Sequence, residues 1–257
     1  MSKLHKAAES GSLDRAEALL QQGANIDALD REMGFSPFHY ACYFGQKEMA
    51  EFLMRKGANI RLATREGYNS ILVAAWQGHT PIVKMLLEEG IPAGTAVCGY
   101  SVLHAAAAAG QNDMVQLLIS KGVDVNTRDR DGVHRTPLRW AVQENHLSVI
   151  QTLLDNGAEI DAQEEGGDTP LIQACSRGSL ELVLLLLEKG AEVNFQNHAG
   201  GTALIRAAVY DNADIVSLLL QHGADRNLKK KDGKTALDFA CEYGHEKSAQ
   251  ILRDFPR

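Results

Sequence analysis

The sequence predicts an all-α solenoid, built from short antiparallel helix pairs that cannot bury their apolar faces alone. Three observations lead there. Helix starts and stops recur in a fixed order, the order repeats about every 33 residues, and no block of sequence lies outside the repetition. A period of that length with helix–turn–helix content marks a stacked array, stabilised by contacts between nearest neighbours.

The stretch Gly167 to Asn194 shows one complete repeat. Thr169 before Pro170 is a helix start. The hydroxyl accepts from an unpaired amide of the first turn, and proline suits the first helical position, where no donor is needed. Leu171, Ala174 and Cys175 recur at helical spacing, and Gly178 stops the helix after about two turns. Ser179 caps a second helix, whose leucines and valine run to Leu187 before Gly190 ends it. Aligned on the first stop, the chain shows Gly11, Gly45, Gly78, Gly110, Asn145, Gly178, Asp211 and Gly244, at intervals of 34, 33, 32, 35, 33, 33 and 33 residues. The repeats then span approximately 1–30, 31–64, 65–97, 98–129, 130–163, 164–196, 197–230 and 231–257.

Thr169-Pro170-Leu171, Thr136-Pro137-Leu138 and Ser36-Pro37-Phe38-His39 resemble the Thr-Pro-Leu-His-x-Ala signature of the ankyrin repeat. Gly190-Ala191-Glu192-Val193-Asn194 and Gly223-Ala224-Asp225-Arg226-Asn227 resemble its Gly-Ala-x-x-Asn turn. The resemblance covers residues 1–257 as a single repeat domain. It implies a right-handed ankyrin-repeat α-solenoid, with short β-hairpin finger loops between helix pairs and a concave groove that binds protein.

The repeats differ in informative ways. Repeat one, from Leu4 to Asp27, has no preceding finger and carries Lys6, Glu9, Asp14, Arg15 and Glu17, which suits an N-terminal cap. Repeat two has one extra finger residue between Asp30 and Phe35. Repeat three replaces the signature with Asn69-Ser70-Ile71-Leu72, where Asn69 still caps but the family's threonine–histidine bond is missing. Repeat four departs most: its approach, Gly90 to Gly99, is one residue short, and its first helix from His104 to Ala109 is nearly all alanine. Repeat five has two extra finger residues between Arg130 and Arg135. Repeat seven reads Thr202-Ala203-Leu204-Ile205, and repeat eight ends in a polar second helix fit for a C-terminal cap.

A net charge of −7 opposes a nucleic-acid backbone as main partner. The start, Met1 to Lys6, has no signal-peptide apolar run, and the longest apolar stretches, such as Leu182 to Leu187, are too short to cross a bilayer. Cys42, Cys175 and Cys241 share one position of the first helix, two or more repeats apart. Stacked helices lie ~8–10 Å apart and a disulfide needs Cα atoms within about 7 Å, so these three stay reduced. Cys98 sits alone in a loop. Reduced thiols imply a reducing, cytoplasmic compartment, and the expectation is a monomer without membrane contact.

Catalytic motifs are missing: no Gly-x-x-x-x-Gly-Lys, no Gly-x-Ser-x-Gly and no Cys-x-x-Cys occurs. The reading is a non-enzyme with no cofactor and no metal. His39 and His104 fill the signature position, which in the family ties a finger to the helix above. His79, His146 and His245 follow the first-helix stop and cap or bridge turns, while His134, His198 and His222 read as exposed. Finger glycines Gly34, Gly67, Gly99, Gly132, Gly167, Gly201 and Gly233 supply positive φ. Lys229-Lys230-Lys231 is a solvated run.

Aromatic placement is the functional signal. In the ankyrin architecture, the finger and the end of the first helix face the groove. Phe35, Tyr43, Phe44, Tyr68, Trp76 and Tyr100 fall there in repeats two to four, beside a step down to Ala108 and Ala109 that predicts a dent. Clustered exposed aromatics are the composition of a binding site for a protein segment with an apolar anchor. Tyr40 and Trp140, one step earlier, read as packed between repeats. A basic or polar flank of the partner would run toward Glu144, Glu164 and Glu165. Two competing readings are an enzyme using the loop around Cys98, with a Cys98–His104 dyad, and a regulatory, inhibitory or host-delivered module acting by binding. The resemblance also makes Asn126 and Asn194 candidates for hydroxylation, since each closes a Leu-x-x-x-x-x-Asp/Glu-Val-Asn stretch.

Overall fold

A computed structural model describes residues 1–94, 99–129 and 134–256. Cys98, Gly132 and most of the long finger of repeat five lie outside the described residues. The chain divides into two compact bodies, Met1–Asp131 and Gly132–Arg257. The first holds α1 (Lys3–Glu9), α2 (Leu13–Gln21), α3 (Pro37–Tyr43), α4 (Lys47–Arg55), α5 (Ser70–Trp76), α6 (Thr80–Glu88), α7 (Val102–Ala108) and α8 (Asn112–Ser120). The second holds α9 (Pro137–Glu144), α10 (Leu147–Asp155), α11 (Pro170–Arg177), α12 (Leu180–Glu188), α13 (Ala203–Val209), α14 (Ala213–Gln221), α15 (Ala236–Glu242) and α16 (Glu246–Asp254).

Capping chemistry sets the starts. Ser36, Asn69, Ser101, Thr136, Thr169, Thr202 and Thr235 each accept the backbone N–H of the residue three positions on, a bond that contributes about 1 kcal/mol to a helix. The stops are left-handed. Gly45 and Gly178 have φ of 72° and 75°, and the repeat forces the same geometry on Asn145 (φ 60°) and Asp211 (φ 54°). First helices then stack in order, α1 on α3 on α5 on α7 in one body and α9 on α11 on α13 on α15 in the other. Each second helix packs against its own partner, burying one face, as α4 does with Met49, Ala50 and Leu53. Fully buried Leu72, Leu103, Leu138 and Leu171 form the seams, each contributing roughly 1.5–3 kcal/mol.

Polar latches join successive repeats. The side chain after a stop reaches back to a carbonyl of the preceding first helix: Gln46 Nε2 to Glu9 O (3.0 Å), His79 Nε2 to Tyr43 O (2.9 Å), Asn212 Nδ2 to Cys175 O (2.8 Å) and His245 Nδ1 to Ala208 O (2.9 Å). His5 ties α1 to the next finger, its Nε2 donating to Phe35 O at 3.0 Å. Cys42 and Cys175 are free and buried, and burial pushes both thiols well above the ordinary range; Cys241 is free and exposed.

The fingers are less regular than β-hairpins. Among the described residues there is no strand; Ala63 and Asn69 form an isolated antiparallel bridge. Single bonds such as Thr64 N to Tyr68 O (2.8 Å) and Asn197 N to Gly201 O (2.9 Å) close the turns, whose arms are too short for a ladder. The positive-φ residue stands two positions before each cap. In repeat seven that is Gly200 (φ 79°) and not Gly201, and in repeat five it is His134 (φ 58°), two before Thr136.

Candidate functional site

The site begins with a carboxylate that winds a finger. Asp30 Oδ1 accepts backbone N–H groups of Glu32 (2.9 Å), Met33 (2.7 Å) and Gly34 (3.1 Å), while Asp30 N donates to Phe35 O (2.9 Å). Burial opposes ionisation of Asp30, but the nearby Tyr40 hydroxyl and these amides outweigh it and hold the pKa below the usual value. The tight finger folds Phe35 inward. Expected on the surface, Phe35 is only 5% exposed, with its ring 5.5 Å from His39, 5.8 Å from Tyr40 and 6.0 Å from Tyr43. It is a floor, not a handle.

Above that floor, a cavity of about 340 Å³ opens between repeats two and three. Met33, Phe35, Tyr43, Glu66, Tyr68, Leu72, Val73, Trp76 and Gln77 line it. Trp76 (40% exposed) and Met33 (44%) stand at the mouth. Tyr43 and Tyr68 are half-buried. Phe44 is exposed beside the cavity, its ring stacked on Tyr40 at 6.1 Å and edge-on to Tyr43 at 5.0 Å. Tyr100 meets Trp76 edge-on at 6.1 Å.

Ala108 and Ala109 do not line this cavity. Val73, which lines the cavity, stands in α5 where Tyr40 stands in α3. Sequence reasoning also missed Met33, Glu66, Leu72 and Val73 as lining residues. The extra finger residue in repeat two was the available signal for Met33.

The cap histidines are committed to structure. Ser36 N donates to His39 Nδ1 (3.3 Å) and Ser101 N to His104 Nδ1 (3.1 Å), so both rings serve capping boxes. Burial pushes the His39 pKa down to about 4. His104 thus belongs to its own helix start, and the Cys98 half of the proposed dyad lies outside the described residues. Among the described residues, no group of three His, Cys, Asp or Glu side chains is placed to hold a metal, and no helix is long and apolar enough to cross a membrane.

The second body carries charged side chains in this region that pair with one another. Arg135 lies over the Trp140 ring, 4.3 Å from its centroid. Arg139, in the signature-histidine position, is buried and ion-paired with Glu164. Burial, then the repulsion of Arg135, lowers the Arg139 pKa to about 10. Asp168 accepts from Arg206 (2.7 Å) and from Asn197 (2.6 Å). Glu164, expected to receive a partner's flank, is thus engaged from within, whereas Glu144 and Glu165 are exposed. Asn194 clamps the next repeat, its Oδ1 accepting from Asp225 N (2.7 Å) and its Nδ2 donating to Gly223 O (3.1 Å). Asn126 N donates to Asp124 Oδ1 (2.9 Å).

A family model described as ankyrin repeats in three copies matches residues 4–95, 72–164, 103–197 and 171–255. The chain belongs to the ankyrin repeat family. Ankyrin repeat domains generally mediate protein–protein interaction. Among solved structures, the human ASB11 ankyrin repeat domain superposes with a TM-score of 0.78 at 28% identity, covering 88% of this ankyrin chain and 99% of that one. "Ankyrin repeat and SOCS box protein 6" of Mus musculus is 38% identical over 105 residues, 39% of this chain and 25% of that protein. "Ankyrin repeat and SOCS box protein 3" of Bos taurus is 33% identical over 175 residues, 53% of this chain and 33% of that protein. The chain thus matches a quarter to a third of the length of these relatives.

Proposed function

We propose that this ankyrin chain is a non-catalytic scaffold that binds a segment of another protein in the aromatic cavity of repeats two and three. One observation carries the reading. The cavity presents Trp76 and Met33 to solvent above buried Phe35, while in the second body Asp168, at the Phe35 position, is ion-paired with Arg206 and Arg139 with Glu164. Large exposed aromatics around a depression are what hot spots are made of. The walls are preorganised, since capped helices and the His79 latch hold them, so binding orders little on this side. Free thiols at buried Cys42 and Cys175 fit a reducing, intracellular setting. A regulatory or inhibitory role would act through the same binding.

The test replaces Trp76 and Tyr68 by alanine and measures affinity for a peptide selected on the native protein. A loss of ~2 kcal/mol or more is expected, with an unchanged unfolding midpoint. Equal affinity in the folded variant removes this site.

A further inference from the structure

We propose, resting on that reading, that the side chain the cavity takes is an arginine of the partner, its guanidinium set among Tyr43, Tyr68 and Trp76 and against the carboxylate of Glu66. Glu66 is the one charged residue among those lining the cavity. Arg31 and Arg65 sit on the same fingers, exposed, and neither lines it. Further carboxylates stand near the floor. Tyr40, whose ring meets the Phe35 floor at 5.8 Å, has its phenol pKa raised by burial first, then by the nearby Asp30 carboxylate and the charges of Glu32 and Glu9. A cation finds complementary charge here, and an anion is repelled.

The lining narrows the choice of cation. Glu66 is exposed at the cavity edge, where a cationic side chain meets its charge and a purely apolar anchor makes no use of it. A guanidinium stacks on aromatic rings, hydrogen-bonds a carboxylate through two N–H groups and sheds water more easily than an ammonium. Its apolar stem has Met33 and the edge of Val73 to lie on. A cavity near the small end of the usual ~300–1,000 Å³ ligand range takes one long side chain, not a helix.

A random peptide library displayed on phage, selected on the full chain and counter-selected on Trp76→Ala, tests this. Enriched peptides should share one invariant arginine. A synthetic peptide with that arginine replaced by citrulline, its neutral isostere, should bind roughly tenfold more weakly. Glu66→Gln should weaken the arginine peptide by a similar factor, and the two changes together should cost little more than either alone. An invariant leucine, phenylalanine or lysine in place of arginine, or citrulline bound as tightly as arginine, overturns the inference while leaving the cavity as the binding site. Peptides that bind Trp76→Ala equally well, or no enrichment at all, overturn both. The citrulline arm uses the native protein, so it stands even if Glu66→Gln proves unstable.

Discussion

Repeat two with three, and repeat five with six, carry the same helices and finger positions and put them to opposite uses. In the first pair the groove side chains are aromatic, and the polar groups nearby turn inward: Asp30 on its own finger amides, His39 on its own cap. A cavity is left open. In the second pair Trp140 is overlain by Arg135, and Arg139 is joined to Glu164. Availability therefore depends on which side chains fill a position and not on backbone position alone. A groove residue that has already found its partner inside the chain adds stability; one that has not is free to recognise another molecule.

The sharpest way to break this contrast is at the buried ion pair. Arg139→Met leaves Glu164 with no opposite charge in a poorly hydrated site and should cost about 3 kcal/mol, read as a lower urea midpoint. Adding Glu164→Leu should restore most of the loss. If the single change costs no more than a surface substitution, the second groove is not self-satisfied in the sense argued. Trp76→Ala should do the reverse, since its ring is 40% exposed and touches Tyr100 only edge-on. It should shift the unfolding midpoint little while removing ~2 kcal/mol of binding.

Acid should separate the two regions as well. The folded-state pKa of His39 lies at about 4, below its ordinary 6.5, because burial disfavours the charged ring. Between those values the unfolded chain takes up a proton that the folded chain refuses. Stability is fully present above pH 6.5 and falls as the pH drops toward 4, by at most about 1.4 kcal/mol per pH unit. Arg139, in the same position of repeat five, does not titrate in that window. Urea midpoints at pH 7.5 and about pH 5 should show the loss, and His39→Gln should flatten it. An unchanged slope in that variant would assign the acid sensitivity elsewhere.

What the sequence made legible follows the range of the interactions. Caps, prolines and stops act within one turn of helix, so Thr169, Ser36 and even Asn69 announced their helices, and the spacing located left-handed stops at Asn145 and Asp211 where no glycine stands. The aromatic positions Tyr43, Tyr68 and Trp76 were also readable, because the repeat fixes which way they face. The burial of Phe35 was not, since it depends on Asp30 gathering three amides of the same finger. Nor was the position of the cavity, which is lined by side chains from two repeats. Glu164 looked like a free acid because its partner, Arg139, is 25 residues away in sequence.

The smallest effect tests the same principle at the two unusual stops. Asn145 and Asp211 both hold positive φ, which glycine accepts without strain. Asn145 is exposed, so Asn145→Gly relieves backbone strain at little loss and should gain about 0.5 kcal/mol. Asp211 holds the same geometry but is engaged: its Oδ1 accepts from Ser248 Oγ at 2.9 Å, and Ser248 is fully buried. Asp211→Gly removes that acceptor and strands the hydroxyl, a loss of about 1 kcal/mol or more that outweighs the relief. Opposite signs in thermal or urea unfolding are expected. A gain at both positions would show that the Ser248 bond contributes little, and that a saturated side chain is worth less to this fold than an unstrained backbone.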